Sequence, residues 1–212
     1  MNEPSDDAAS IALRYARRRA ADPLRDDASR PEVAHWLHER RAGLARMFDR
    51  AGWVDRGAKR VVEVGCGAGG NLRLLLDAGF ASAHLVGIDL LGERIDAARA
   101  VLPADLQLDV GDAARAPIAP GSIDLAMQFT VCSSLLSDAS RAALADAMWR
   151  WLAPGGAVLS YDFVVAAPRT AGRAHVRGLG VRELRTLFPQ GVVRHVDRVT
   201  LAEGAGATVA GT

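Results

Sequence analysis

A glycine-rich loop lies among carboxylates that are spaced for binding a ribose-containing molecule. Gly65, Gly67 and Gly69 follow a short apolar run and precede a helical pattern. Glycine at such a turn lets a ligand approach the backbone closely, and the following helix offers free N–H groups. Asp89 ends the next apolar run, where a carboxylate can accept hydrogen bonds from a ribose diol. These residues predict a nucleotide-type cofactor.

Two classes of cofactor fit this loop. The spacing Gly65-x-Gly67-x-x-Gly70 also matches the dinucleotide fingerprint, so an NAD(P)-binding oxidoreductase is an alternative. Glu63 lies just before the loop, where a carboxylate suits a cationic sulfonium ligand with an ammonium group better than a pyrophosphate. Asp112 follows the third predicted strand and can accept a hydrogen bond from an adenine amino group. These two acids favour S-adenosylmethionine (SAM).

The ordered set of motifs resembles class I SAM-dependent methyltransferases. The similarity covers about residues 59–165 and runs through segments 61–71, 87–90, 111–113, 121–125 and 152–156. It implies SAM as cofactor, S-adenosylhomocysteine (SAH) as product, and an α/β fold with a Rossmann-like, doubly wound, mostly parallel sheet.

The resemblance also implies a role for each matched residue. The loop glycines would contact the methionine moiety and the ribose, and Glu63 would anchor the amino group. Asp89 would bind the ribose hydroxyls, and Gln128 would line the methyl end. The implied cofactor-binding set is Glu63, Gly65, Gly67, Gly69, Asp89, Leu90, Asp112, Ala113 and Gln128.

The whole chain is similar to a narrower group of small-molecule or glycan-pathway methyltransferases. The similarity is carried by segments 15–18, 128–134 and 161–163. It implies O- or N-methylation of a natural product or sugar-type acceptor. Asp162 is the candidate base or acceptor-orienting group, with Tyr161 beside it and His175 as the next candidate. A base is needed only when the acceptor is a hydroxyl or a protonated amine.

Alternating strand and helix patterns place these residues at strand ends. We expect a helical cap over residues 1–55, a SAM-binding domain over 56–202 and a disordered tail over 203–212. The sheet of this family has a last, antiparallel strand after a further helix, and the tail is too short for both. We therefore expect that strand to be absent, leaving an edge that a second copy of the chain or another partner can complete. A non-catalytic, partner-dependent SAM-binding module is the second alternative.

Composition excludes several other classes. The net charge of +1 argues against nucleic acid as the main partner. No apolar run is long enough for a membrane span, and the acidic N-terminus is unlike a signal peptide, which predicts a cytoplasmic protein. The two cysteines and five histidines form no metal-binding pattern, so no metal is expected. A basic stretch of five arginines predicts attraction of an anionic acceptor: Arg169, Arg173, Arg177, Arg182 and Arg185.

Overall fold

The computed structural model describes residues 6–21, 29–163, 176–201 and 205–211. Six helices lie within these residues: α1 (Asp6–Ala21), α2 (Pro31–Arg50), α3 (Gly70–Asp77), α4 (Gly92–Arg99), α5 (Asp138–Trp151) and α6 (Val181–Leu187). Seven strands accompany them: β1 (Val61–Val64), β2 (Leu85–Asp89), β3 (Gln107–Val110), β4 (Ile123–Phe129), β5 (Leu152–Phe163), β6 (His195–Leu201) and β7 (Ala205–Gly211).

The strands form one sheet in the order β3-β2-β1-β4-β5-β7-β6. β1 to β5 are mutually parallel, whereas β7 is antiparallel to both of its neighbours. The strand order reverses beside β1, where a doubly wound sheet opens a crevice at its carboxyl edge. The predicted Rossmann-like α/β class is confirmed.

Apolar side chains cover both faces of the sheet. On one face, α3 and α4 contribute Leu72, Leu75 and Ile95 to a buried cluster that also contains Phe48 of α2. On the other face, α5 supplies Met148 and Trp151, and the cluster extends to α1 and α6. Strands buried on both faces need near-continuous apolar sequence, which explains the short runs of valine, leucine and isoleucine.

The strand register brings the predicted motifs to one edge. Val64 of β1 pairs with Ile88 of β2 and with Gln128 of β4, so these strands end together. Asp89 pairs with Val110, which carries the alignment to β3. The loops after β1, β2, β3 and β4 therefore emerge side by side.

The prediction that the last strand is absent is wrong. β7 pairs with β5 from Leu159 to Phe163 and with β6 along its whole length. It occupies residues 205–211, so the predicted disorder of 203–212 is wrong for those residues as well. β6 and β7 follow one another in the sequence and pair as antiparallel neighbours, and among the described residues no helix lies between them. The sequence of β7 is mostly alanine and glycine and gives no strand pattern. Its position in the sheet is set by backbone pairing with β5 and β6.

Candidate active site

A cavity of about 390 Å³ opens at the carboxyl edge of the sheet, in the crevice beside β1. Its volume falls within the range of roughly 300–1,000 Å³ that small-molecule sites occupy. Five residues of the predicted cofactor-binding set line it: Gly65, Asp89, Leu90, Asp112 and Ala113. The loops after β1, β2 and β3 thus converge on one space, as the sequence predicted.

The glycine loop has a backbone that discriminates between the two cofactor fingerprints. Gly69 has φ +81°, and a Cβ atom built there would lie 2.5 Å from Leu102 Cδ1. Gly70 begins α3, and a Cβ atom there would meet nothing within 4 Å. The dinucleotide fingerprint needs its third glycine for close helix–strand packing. Gly70 has no such requirement here, so the loop fits the pattern Gly65-x-Gly67-x-Gly69.

Asp89 is fixed at the cavity by two backbone donors. Its Oδ2 accepts a hydrogen bond from the Gly67 N–H at 2.9 Å, and its Oδ1 accepts one from the Leu91 N–H at 2.9 Å. An ionised carboxylate has about four acceptor positions, so two remain for a ligand. The first of these bonds joins the glycine loop to the end of β2 and sets their separation.

Asp112 lies at the start of a short 3-10 turn, Ala113–Arg115, after β3. Its Oδ1 accepts a hydrogen bond from the Ala114 N–H at 3.0 Å, and Arg115 Nε lies 3.8 Å from its Oδ2. The turn presents Ala113 to the cavity, and the carboxylate retains acceptor capacity toward it.

Glu63 lies behind the loop, fully buried, and does not line the cavity. Desolvation raises the pKa of Glu63 from 4.5 to about 8, against smaller lowering effects of the Asn71 hydrogen bond and the Arg40 charge. The Asn71 amide donates to Glu63 Oε1. Glu63 Oε2 and Asn71 Oδ1 have no hydrogen-bond partner among the described residues. A ligand that donates hydrogen bonds would satisfy both of these buried oxygens.

Gln128 has every polar atom engaged within the protein. Its Oε1 accepts the N–H groups of Val131 and Cys132 at 2.9 and 3.2 Å, and its Nε2 donates to Ser160 Oγ and Asp162 Oδ2. The residue is only 1% exposed and does not line the cavity. The structure therefore does not bring this predicted residue into the cavity with the others.

The two predicted catalytic residues are buried on opposite faces of β5. Asp162 is 2% exposed and accepts hydrogen bonds from Gln128, from the Ser133 N–H and from the Phe163 N–H. Burial raises the pKa of Asp162, opposed by its hydrogen bonds from Ser133 and Gln128. Tyr161 packs on Phe129 with ring centroids 5.2 Å apart, so it reaches the cavity only through that ring. His175 lies outside the described residues.

Sequence reasoning missed much of the opposite side of the cavity. Tyr15 and Ile11 of α1 line it, and the Arg94 guanidinium lies 5.1 Å from the centroid of the Tyr15 ring. The i,i+4 spacing of small and apolar residues in α5 was an available signal for the remaining wall. Further lining residues that were not predicted include Phe129, Val131, Ser134, Leu135, Ala139, Ser140, Ala143 and Leu144.

The described residues contain neither a helix fit to cross a membrane nor a cluster of metal-binding side chains. Across residues 6–21, 29–163, 176–201 and 205–211, no helix is both long and apolar enough to cross a bilayer. Within the same ranges, no three histidine, cysteine or acidic residues are grouped as they would be around a metal ion.

A doubly wound sheet with a glycine loop after β1 and an acid after β2 defines the class of Rossmann-like, nucleotide-cofactor proteins. Residues 61–156 match the family model of the methyltransferase domain. The predicted resemblance to class I SAM-dependent methyltransferases is thereby confirmed over this segment. No curated protein sequence matches the chain.

Solved methyltransferases share the fold. A SAM-dependent methyltransferase of Mesorhizobium loti aligns at 21% identity with a TM-score of 0.62, over 76% of this chain and 94% of that one. A putative methyltransferase of Haloferax volcanii, solved with the Trm112 activator, aligns at 20% identity with a TM-score of 0.67, over 99% and 98%. The magnesium protoporphyrin IX methyltransferase of Synechocystis PCC 6803, solved with bound SAM, aligns at 14% identity with a TM-score of 0.67, over 100% and 99%.

Proposed function

We propose that the chain binds SAM in the cavity at the carboxyl edge of the sheet and transfers its methyl group to a small-molecule acceptor. The convergence of Gly65, Asp89 and Asp112 on one cavity carries this proposal. A glycine loop, a ribose-binding acid and an adenine-binding acid then follow one another along the edge, in the order of the cofactor's own parts.

The adenosine half would be held by residues that the cavity already gathers. Asp89 would accept hydrogen bonds from the ribose hydroxyls with the acceptor positions that Gly67 and Leu91 leave open. Leu90 would pack against the adenine, and the turn at Asp112 and Ala113 would receive its edge. These assignments follow the resemblance residue by residue.

The methionine half would contact the buried polar side chains behind the glycine loop. An ammonium group supplies the hydrogen-bond donors that Glu63 Oε2 and Asn71 Oδ1 lack. Arg40 of α2 is 8% exposed, and its guanidinium lies 5.8 Å from the centroid of the Phe129 ring. Its positive charge, which acts on Glu63, makes it the candidate for the methionine carboxylate.

When bound, the cofactor supplies a methyl group on a cationic sulfur, and its leaving group is a neutral thioether that needs no acid. The chain's part is alignment and the exclusion of water. Ile11 and Tyr15 cover the cavity from α1, and the Phe129 ring closes it beside β4. This coverage favours a small acceptor over a macromolecule.

The acceptor is proposed as a natural-product or sugar-type molecule that is methylated on oxygen or nitrogen. The predicted basic stretch gives little support for an anionic acceptor. Arg177 is engaged with Asp138 and Glu183, while Arg169 and Arg173 lie outside the described residues. The cytoplasmic location and a homodimer stay predictions.

Calorimetry with SAM, SAH and NAD tests the proposal. We expect micromolar binding of SAM and SAH, no binding of NAD, and at least a tenfold loss of SAH affinity in Asp89→Ala. Asp96→Ala is the matched control, because this exposed acid on α4 pairs with Arg99 on the same helix. NAD binding without SAM binding would overturn the cofactor assignment.

The acceptor class requires a turnover assay. SAH release is measured against separate panels of hydroxyl and amine acceptors. A chain that binds SAM but releases SAH with neither panel would support the non-catalytic alternative instead.

A further inference from the structure

The segment that follows β4 forms one side of the cofactor cavity. We call residues 130–135 the β4 turn. Val131, Ser134 and Leu135 of this turn line the cavity. Val131 also packs against the glycine loop, since a Cβ atom on Gly65 would lie 2.4 Å from Val131 Cγ2. A shift of the β4 turn would therefore change the width of the cavity.

The β4 turn holds an unfavourable backbone conformation. Thr130 has φ +59°, a left-handed value that is rare for a β-branched residue. Such a conformation persists only where surrounding interactions determine it. The Thr130 N–H donates to the Tyr161 carbonyl at 2.7 Å, and the Ser134 hydroxyl donates to the Thr130 carbonyl at 2.8 Å. The remaining constraints come from beneath the turn.

Gln128 and Asp162 supply those constraints. Gln128 accepts the N–H groups of Val131 and Cys132, and Asp162 Oδ2 accepts the Ser133 N–H at 3.2 Å. The Gln128 amide also donates to Asp162 Oδ2 at 3.0 Å, which joins the two side chains. Three consecutive backbone N–H groups of the β4 turn thus donate to this one buried pair of side chains.

We propose that Gln128 and Asp162 are positioning residues that fix the β4 turn against the cofactor, and that Asp162 does not act as a base on the acceptor. The inference rests on the proposed function, because the cavity that the turn shapes is the proposed SAM site. A base needs a carboxylate oxygen within hydrogen-bond reach of the acceptor. Both Asp162 oxygens accept N–H groups of the protein, and the residue does not line the cavity.

Asp162→Asn tests the inference with SAH as the probe. Each Asp162 oxygen accepts at least one N–H group, so either orientation of the new amide turns its NH2 toward one of them. We expect SAH affinity to fall at least fivefold and amide hydrogen exchange at Ser133 to accelerate at least tenfold. A general base would leave SAH affinity unchanged and would affect turnover alone.

A matched control and a rescue separate positioning from a general loss of stability. Asp124 is a carboxylate at the opposite end of β4 that accepts from Lys59 and from the Arg60 N–H. Asp124→Asn should leave SAH affinity within twofold of the wild type. The exchange Gln128→Glu with Asp162→Asn restores a donor–acceptor pair between the two positions, so it should recover part of the affinity that Asp162→Asn loses.

The outcomes are distinguishable from failure of the proposed function. Wild-type protein that binds no SAH refutes the proposed cofactor site. Wild-type binding with an unchanged affinity in folded Asp162→Asn overturns only the positioning role. If Asp162→Asn does not fold, Ser160→Ala decides, because it removes the other acceptor of the Gln128 amide. A two- to fivefold weaker affinity supports the inference, and an unchanged one overturns it.

Discussion

Glu63 carries a carboxyl group that water does not reach. Desolvation raises the pKa of Glu63 to about 8, so the free protein holds this group protonated below that pH. A nearby ammonium group favours the ionised form of a carboxyl and lowers its pKa. If the cofactor's ammonium group binds beside Glu63 as proposed, its binding would be coupled to release of the Glu63 proton.

We predict that SAH binding releases close to one proton at pH 6.5. The α-amino group of the ligand is already protonated at this pH, so it takes up little. Calorimetry in two buffers of different ionisation enthalpy measures the released protons. The Glu63→Gln variant should bind more weakly and release none. Equal proton release in wild type and variant would exclude Glu63 as the source.

The same burial makes stability depend on pH. Because the folded-state pKa is raised from 4.5 to about 8, the folded protein binds more protons than the unfolded chain between these values. This group's contribution to stability is complete below pH 4.5 and is lost as the pH rises to about 8. The slope reaches at most about 1.4 kcal/mol per pH unit for one proton.

At the scale of elements, the start of α3 decides how the glycine loop is built. Gly69 is in the left-handed region and packs against Leu102, whereas Gly70 is helical with open space beside it. Position 69 therefore requires glycine and position 70 does not, although the two glycines are adjacent in the sequence.

We predict that Gly69→Ala destabilises the protein and that Gly70→Ala does not. The first change places a Cβ atom in a left-handed conformation at a cost of about 1–2 kcal/mol, before the contact with Leu102 is counted. The second adds a better helix former and should be neutral or slightly stabilising. Urea unfolding measures both, and SAH calorimetry should show weaker binding for Gly69→Ala alone. Equal effects of the two variants would refute the loop geometry.

The loops after β1, β2 and β3 were predictable because their signals are local. Glycines, an acid at a strand end and a turn motif each occupy a few neighbouring residues, so Gly65, Asp89 and Asp112 were found together. Gln128 and Asp162 were placed correctly at strand ends but assigned to ligand contacts. Their hydrogen bonds to the β4 turn depend on the register of β4 against β5, which no local pattern carries.

At the scale of the molecule, the sheet depends on residues near the end of the chain. β7 lies between β5 and β6 and pairs with both. On the β5 side, Val209 pairs with Tyr161 and Thr208 pairs with Asp162. The last strand therefore supports the same part of β5 that reaches beneath the β4 turn.

We predict that truncation after residue 204 disrupts both the sheet and the cofactor site. Loss of β7 leaves β5 with an unpaired edge along Leu159–Phe163 and separates β6 from the sheet, since β7 is the one strand that pairs with β6 among the described residues. An exposed strand edge promotes association between chains. We expect a lower, less cooperative urea transition, larger particles on size-exclusion chromatography and at least tenfold weaker SAH binding. Deletion of Thr212 alone keeps all of Ala205–Gly211 and should preserve all three properties. A monomeric truncated chain with wild-type SAH affinity would show instead that β1 to β5 maintain the site without the antiparallel pair.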